Sequence, residues 1–340
     1  MKKVLVAMSG GVDSAVTAYL LMQQGYSCTG ATMLLCGNED VSGAASVCGL
    51  LGIPFRVYDC REVFRDKVIA PFVRSYEEGK TPNPCIFCNR HLKFGELYRL
   101  AMEEGFDFLA TGHYARIEAE SEGLRLKKAL DAAKDQSYVL YDLTAEQLSH
   151  VLFPLGKYTK EQIRAIAAEI GFSNAKKGDS QDICFVPDGD HDGFIRRFTG
   201  KEYPAGEFVN LQGRVLGVHR GLIRYTVGQR KGLGLALPEP HYVCKKDVEG
   251  NRVILCTASE LSVREITVDS FRFTGGSPKT DPFSATVRTR YHQKEYSATL
   301  FPASDGSLRV VFDSPIPMAA PGQSAVAYQG DTVIGGGEIR

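Results

Sequence analysis

The chain predicts an α/β protein: a parallel-sheet domain over its first half, a small central domain, and an all-β C-terminal part. Three observations predict it. Apolar strand-like runs alternate with helix-like runs from residue 4 to about residue 170. A glycine turn, Ser9-Gly10-Gly11-Val12-Asp13-Ser14, joins the first apolar run to the first helix. Beyond residue 263, short alternating runs separated by turn clusters dominate.

Taken in order, strands are expected at residues 4–8, 28–35, 55–59 and 106–111, and helices at 13–24, 42–51, 62–78, 90–104 and 160–170. Gly25, Gly52, Gly105 and Gly171 stand where helices should stop. Such alternation makes a parallel sheet with helices on both faces, and ligands bind at the carboxyl ends of its strands. The loop after the first strand falls there, as do Met33 near the end of the second and Gly112-His113 just after the fourth. From residue 190 to about 262 the chain is rich in glycine and basic residues. Strands are then expected at 286–290, 297–301, 308–312, 324–328 and 332–339, with Ser304-Asp305-Gly306 and Gln329-Gly330-Asp331 as turns. This reads as a small antiparallel barrel or sandwich. Domains are expected over 1–190, 191–262 and 263–340. No internal repeat or low-complexity segment is visible.

The glycine turn predicts phosphate binding. A helix N-terminus presents unpaired N–H groups and the positive end of the helix dipole. Gly10 and Gly11 let the backbone approach phosphates, and Asp13 or Ser14 can cap the helix. No Gly-Lys-Ser/Thr follows, so the lysine that grips β- and γ-phosphates in a Walker loop is absent. A loop of this kind suits cleavage between the α- and β-phosphates, giving AMP and pyrophosphate.

Lys+Arg and Asp+Glu are equal at 40 each, so overall charge does not advertise a nucleic-acid binder. The charge is uneven, however: between Arg196 and Lys231 there are eight basic residues against Glu202 and Glu207. That stretch can hold a phosphate backbone or be a solvated surface. No long uncharged apolar stretch and no signal peptide precede the first strand, which predicts a cytoplasmic protein. Nine cysteines, an odd and scattered count, argue for reduced thiols rather than a secreted disulfide framework.

Two segments stand out among these cysteines. Thr81-Pro82-Asn83-Pro84-Cys85-Ile86-Phe87-Cys88-Asn89-Arg90 precedes a helix, which predicts Cys88 near a helix N-terminus with Arg90 and His91 beside it. Both features lower a thiol pKa. Cys184 follows the polar run Asp179-Ser180-Gln181-Asp182-Ile183. Three chemistries compete. A zinc site would need His91 and Cys184 at irregular spacing. Cys85, Cys88 and Cys184 could hold an iron–sulfur cluster with one open position. Cys88 and Cys184 could pass sulfur as a redox pair, one as persulfide and the other attacking it; this reading is favoured. Cys28, Cys36, Cys48, Cys60, Cys244 and Cys256 read as small buried apolar residues.

Together these residues resemble the bacterial tRNA-specific 2-thiouridylases, within the PP-loop ATP pyrophosphatase superfamily. The resemblance spans essentially the whole chain. It is carried by the PP-loop, Thr81 to Asn89, Ala110-Thr111-Gly112-His113-Tyr114, Lys134-Asp135-Gln136-Ser137-Tyr138, Asp179 to Phe185, and Tyr225 to Gly234. It implies a Rossmann-like PP-loop domain (adenine nucleotide alpha-hydrolase-like), a small central tRNA-binding domain and a C-terminal antiparallel β-barrel. It implies adenylation of the wobble uridine at O2 by ATP with Mg2+, then replacement of that oxygen by persulfide sulfur. The tRNAs are those for glutamate, glutamine and lysine, and the sulfur comes from a cysteine desulfurase, directly or through carriers. By position, Ala7, Met8, Ser9, Gly10, Gly11, Val12, Asp13, Ser14, Met33 and Gly112 bind ATP. Cys184 carries the persulfide and Cys88 is the nucleophile, the two forming a redox disulfide. Asn83, Pro84 and Cys85 approach the target base, while His113, Lys134, Asp135, Gln136, Arg290, Tyr291 and Gln323 contact tRNA. Lys134, Arg288 and Arg290 can meet phosphates, and Tyr291 can stack a base. Many relatives have Asp where this chain has Cys85, which keeps the cluster reading open for this branch. The loop from Leu34 to about Ser42 is short. Two rivals remain: a PP-loop ligase that adenylates a small molecule without thiols, and a non-catalytic RNA-binding or metal-sensing protein.

Overall fold

The computed structural model describes residues 1–37, 41–121, 123–172, 183–186 and 188–340. The Asp179 to Asp182 part of the motif before Ile183 lies outside the described residues. Strands β1 (Lys3–Ala7), β2 (Ser27–Leu34), β3 (Phe55–Asp59) and β4 (Phe108–Ala110) are the four expected in the first half. They alternate with helices α1 (Val12–Gln23), α2 (Ser42–Leu51), α3 (Arg61–Phe64) and α4 (Ala70–Glu77), then α5 (Pro84–Cys88) and α6 (Tyr98–Glu103). The four helix-ending glycines all have positive φ. Two π-helical stretches interrupt this helical set. Arg65–Ile69 joins α3 to α4, and Asn89–Leu97 joins α5 to α6.

After β4 the chain forms a hairpin, β5 (Ala115–Glu120) and β6 (Gly123–Lys128), then α7 (Ala145–His150), β7 (Val151–Leu152) and α8 (Lys160–Glu169). The hairpin went unread in the sequence, although Ile117, Leu124 and Leu126 alternate around Gly123. The first sheet runs β3-β2-β1-β4-β7 with every neighbouring pair parallel. Central β1 buries Val4, Leu5 and Val6 completely, as a strand covered on both faces must. The chain steps outward from β1 to β2 and β3, then returns to place β4 on the other side of β1. Strand order therefore reverses between β1 and β4, and a crevice opens at their carboxyl ends.

Helix α9 (His191–Thr199) leads to a four-stranded sheet made of β8 (Gly206–Asn210), β9 (Val215–His219), β10 (His241–Asp247) and β11 (Arg252–Thr257), in the order β10-β11-β8-β9. The last part comprises β12 (Ser262–Phe273), β13 (Phe283–Arg288), β14 (Tyr296–Pro302), β15 (Leu308–Pro317), β16 (Ser324–Gln329) and β17 (Thr332–Ile339). The order β12-β15-β14-β13-β16-β17, with β12 also paired to β17, closes a six-stranded antiparallel barrel. Closure removes open strand edges. Strand β6 then pairs with β17 through Lys127 and Thr332, so the hairpin from the first half extends the barrel's sheet.

Packing fuses the two ends of the chain. One apolar core holds Leu5 and Leu109 of the parallel sheet, Leu97 and Tyr98 of the helical set, Tyr138 and Tyr141, and Val326, Tyr328 and Val333 of the barrel. Fully buried Tyr138 donates its hydroxyl to the Ser324 carbonyl at 2.7 Å. Among the described residues no helix is long and apolar enough to cross a membrane. Tyr138→Phe leaves that buried carbonyl without this donor, so it should lower stability by about 1–3 kcal/mol in urea unfolding followed by circular dichroism.

Candidate active site

The loop after β1 has the geometry a phosphate needs. Gly10 turns with φ of 71°, a left-handed value that a side chain resists. Its α-carbon side faces Ala44 and Gly43 at the start of α2, where an added Cβ would come within 3.3 Å of the Ala44 nitrogen. Gly11 is the N-cap of α1 and no side chain caps that helix. This corrects the expectation that Asp13 or Ser14 would do so. Ser14 instead accepts from the Ser9 amide at 3.2 Å and donates to the Gly11 carbonyl at 3.0 Å, which ties the loop to itself. The first-turn amides of α1 are left for an anion. Met8 is fixed on both sides, its amide donating to Ala31 at 2.7 Å and its carbonyl accepting from the Thr32 hydroxyl at 2.8 Å. Gly112, beyond β4, packs so closely on the loop that a Cβ there would lie 3.0–3.1 Å from Asp13 and Ser14 atoms.

Sequence reasoning missed Lys160. This residue opens α8, whose Thr159 and Gln162 form a reciprocal capping box. Its ammonium reaches both carboxylate oxygens of Asp13 at 2.8 Å, and Tyr114 donates to the same carboxylate at 2.9 Å. Asp13 is therefore neutralised, and the loop presents no uncompensated negative charge to a phosphate. Lys160 is almost fully buried, which strengthens the pair. The signal in the sequence was a Thr-Lys helix start at the expected 160–170 helix, but 147 residues separate the partners.

The thiols gather around the helix that begins at Pro84. Asn83 caps it, its side chain accepting from the Cys85 amide at 3.1 Å. Cys88 lies at the far end of α5, and the helix runs on through the π stretch, so Cys88 is not at a helix N-terminus. Burial pushes its thiol up to about 11, against the lowering expected from the sequence. The cation that favours its thiolate is Lys93, not Arg90 or His91. Arg90 instead pairs with Asp142. Lys93 is five residues past Cys88, and a π stretch brings residues five apart onto one face.

Cys184 reaches the same place. Cys88, Ile183 and Phe185 pack on one apolar cluster with Phe64, Phe72 and Ile195. Phe185 anchors the segment, edge-on to Phe64 at 5.6 Å and to Phe72 at 5.2 Å. Cys88 feels both Cys184 and Cys85 electrostatically, and Lys93 favours the thiolate of all three. Cys85 and Cys184 are solvent-accessible, yet desolvation raises both thiols. All nine cysteines are free. Of the six read as buried, Cys36 is exposed and the other five are buried. Among the described residues no group of three or more His, Cys, Asp or Glu side chains is placed to hold a metal ion.

Three family models together cover nearly the whole chain: a tRNA methyl transferase HUP domain at residues 2–188, a tRNA methyl transferase PRC-barrel domain at 192–257, and an aminomethyltransferase beta-barrel domain at 263–339. The tRNA-specific 2-thiouridylase MnmA of Acetivibrio thermocellus is 46% identical over 356 positions, covering 100% of this chain and 99% of the relative. The tRNA-specific 2-thiouridylase MnmA 1 of Caldanaerobacter subterraneus subsp. tengcongensis is 45% identical, covering 99% and 97%. The chain belongs to the tRNA-specific 2-thiouridylase family. A solved 4-thiouridine synthetase–RNA complex with bound ATP is 16% identical with a TM-score of 0.36, covering 58% of this chain and 50% of that one.

In this family member, the residues expected to contact RNA come from separate elements. His113 is buried, with Thr111 Oγ1 at 2.7 Å from Nδ1 and Lys93 Nζ at 3.4 Å from Nε2. Burial, and then Lys93, hold its imidazole well below its ordinary pKa, so it is neutral. Lys93 donates to Nε2, which leaves the proton on Nδ1, facing Thr111. Gln136 accepts from the Tyr114 amide at 2.9 Å, fixing the Lys134-Asp135-Gln136 run beside His113. Asp135 is buried and bonded to the Ser137 hydroxyl and to Arg288. Tyr291 hydrogen-bonds Gln136 and feels Cys85, and burial raises its phenol to about 12. Thus Cys85, Gln136 and Tyr291 converge. Arg288 donates to Asp135 and Glu295, and Arg290 donates to the Val227 carbonyl. Gln323 donates its amide to the Thr81 carbonyl at 2.8 Å.

Two expectations follow. Lys160→Met unmasks the Asp13 carboxylate and should weaken ATP binding by about ten- to a hundredfold in calorimetric titration, with Asp13→Asn in the same chain restoring part of the loss. Iodoacetamide alkylation of Cys88 should rise by about tenfold per pH unit from pH 7 upward and level off only near pH 11, because its thiol is raised.

Proposed function

We propose that this protein converts the wobble uridine of glutamate, glutamine and lysine tRNAs to 2-thiouridine. Membership of the 2-thiouridylase family supports the reaction class. The observation that supports the mechanism is the apolar cluster shared by Cys88, Ile183 and Phe185, beside which Cys184 is near enough to Cys88 to influence its thiol. The domain division 1–190, 191–262 and 263–340 assigns ATP chemistry to the first part and RNA binding to the other two.

ATP binds along Ala7 to Ser14 with Met33 and Gly112, its phosphates on the first-turn amides of α1. Mg2+, held by the phosphates themselves, would supply charge compensation there. Uridine O2 attacks the α-phosphorus, pyrophosphate leaves, and the oxygen becomes part of an AMP leaving group. The terminal sulfur of a Cys184 persulfide attacks C2 and AMP departs. The Cys88 thiolate then attacks Cys184 Sγ; the S–S bond breaks toward the product, releasing 2-thiouridine and forming the Cys88–Cys184 disulfide. An external thiol reductant restores both thiols. Lys93 stabilises the attacking thiolate, Asn83, Pro84 and Cys85 frame the base, and Tyr291 offers it a ring face. His113, Lys134, Asp135, Gln136 and Arg290 line the RNA side. The sulfur donor is a cysteine desulfurase acting directly or through a carrier. Nine free cysteines favour a reducing compartment, the cytoplasm.

The alternative route delivers sulfur through an iron–sulfur cluster that Cys85, Cys88 and Cys184 would hold, and no step above is routed through it. Cys88→Ser and Cys184→Ser should each abolish 2-thiouridine formation on defined tRNA, read by nucleoside mass spectrometry, while ATP binding persists. A ligase that adenylates a small molecule would keep full activity in both variants. Anaerobic purification with iron and sulfide analysis should give iron-free protein of full activity.

A further inference from the structure

The segment leading to the thiols is held from outside the parallel-sheet domain. The Thr81 amide donates to the Pro321 carbonyl at 2.8 Å, and Gln323 donates to the Thr81 carbonyl at 2.8 Å. Thr81 is thus bound on both backbone groups by the turn just before β16. Lys80 bonds Glu338 of β17 at 3.2 Å. From the central sheet, Lys246 of β10 reaches the Lys80 carbonyl at 3.5 Å and the Tyr225 carbonyl at 2.8 Å. Gly322 lies so near that an added Cβ would sit 2.9 Å from the Lys80 side chain and 3.0 Å from the Thr81 nitrogen.

This grip transmits to the chemistry because little between it and the thiols can turn. Pro82 and Pro84 have fixed φ, and Asn83 is locked by its cap to the Cys85 amide. Among the described residues the buried Thr81 hydroxyl has no hydrogen-bond partner. A position retained at that cost is held by its backbone contacts.

We propose that Gln323 is a positioning residue: its amide, with the Pro321 carbonyl, fixes the Lys80–Pro82 segment and so sets where Cys85 and Cys88 stand relative to the activated base. The accessory sheets then take part in catalysis as well as in RNA binding. This rests on the thiolation reading above.

The test is Gln323→Met, which keeps side-chain length and removes the donor. Full-length variant and wild type are compared by tRNA affinity in filter binding, by single-turnover thiolation, and by hydrogen exchange of the peptide spanning residues 80–88. A positioning role gives unchanged tRNA affinity, a thiolation rate lower by about ten- to a hundredfold, and faster exchange in that peptide. Weakened tRNA affinity with unchanged exchange and single-turnover rate overturns it, because Gln323 is then an RNA contact; so does a variant unchanged in all three. Should Gln323→Met not fold, Lys246→Met loosens the same segment from the central-sheet side and takes the same readouts. If wild type itself makes no 2-thiouridine, the thiolation reading falls, while the exchange comparison still decides whether Gln323 holds the segment.

Discussion

The site depends on the position of β1 in the middle of a parallel sheet. With β2 on one side and β4 on the other, chain direction and strand order place two loops at one crevice: the glycine turn after β1 and Gly112-His113 after β4. Close approach at Gly112 then lets the second loop press on the first. The nucleotide pocket is a consequence of hydrogen-bonded register, and Asp13 and Lys160 finish it by cancelling the charge that would repel phosphate.

The thiol side obeys a different constraint, the cost of making a thiolate where water is scarce. Desolvation raises Cys85, Cys88 and Cys184 together, and one ammonium, Lys93, opposes it for all three. Such thiols are quiet until something changes their surroundings. The π stretch after Cys88 sets Lys93 where it can act, and neutral His113 accepts a hydrogen bond from it without competing for its charge.

The barrel and the parallel sheet share one core, joined by Tyr138, Tyr141 and the β5–β6 hairpin. Residues far apart in the chain are consequently rigid relative to one another. Cys85 and Tyr291 influence each other electrostatically because the barrel is packed against the helical set, and Arg290 extends the connection to the central sheet through the Val227 carbonyl.

Local signals in the sequence were enough for the parallel-sheet fold, the phosphate loop and the three cysteines of interest. Strand–helix alternation has a fixed period, a helix-stopping glycine has one conformational reason, and a glycine turn between strand and helix leaves first-turn amides open to an anion. The same reasoning erred where a property belongs to the environment. Arg90 and His91 are neighbours of Cys88 in sequence, but burial and Lys93 govern its thiol. Asp13 reads as a cap, but Lys160 claims it across 147 residues. That Arg288 donates to Asp135 and Glu295 was likewise out of reach, because the partners come from different parts of the chain. Charge pairing, desolvation and inter-sheet grips depend on distances through space, and those were decided only when the sheets packed.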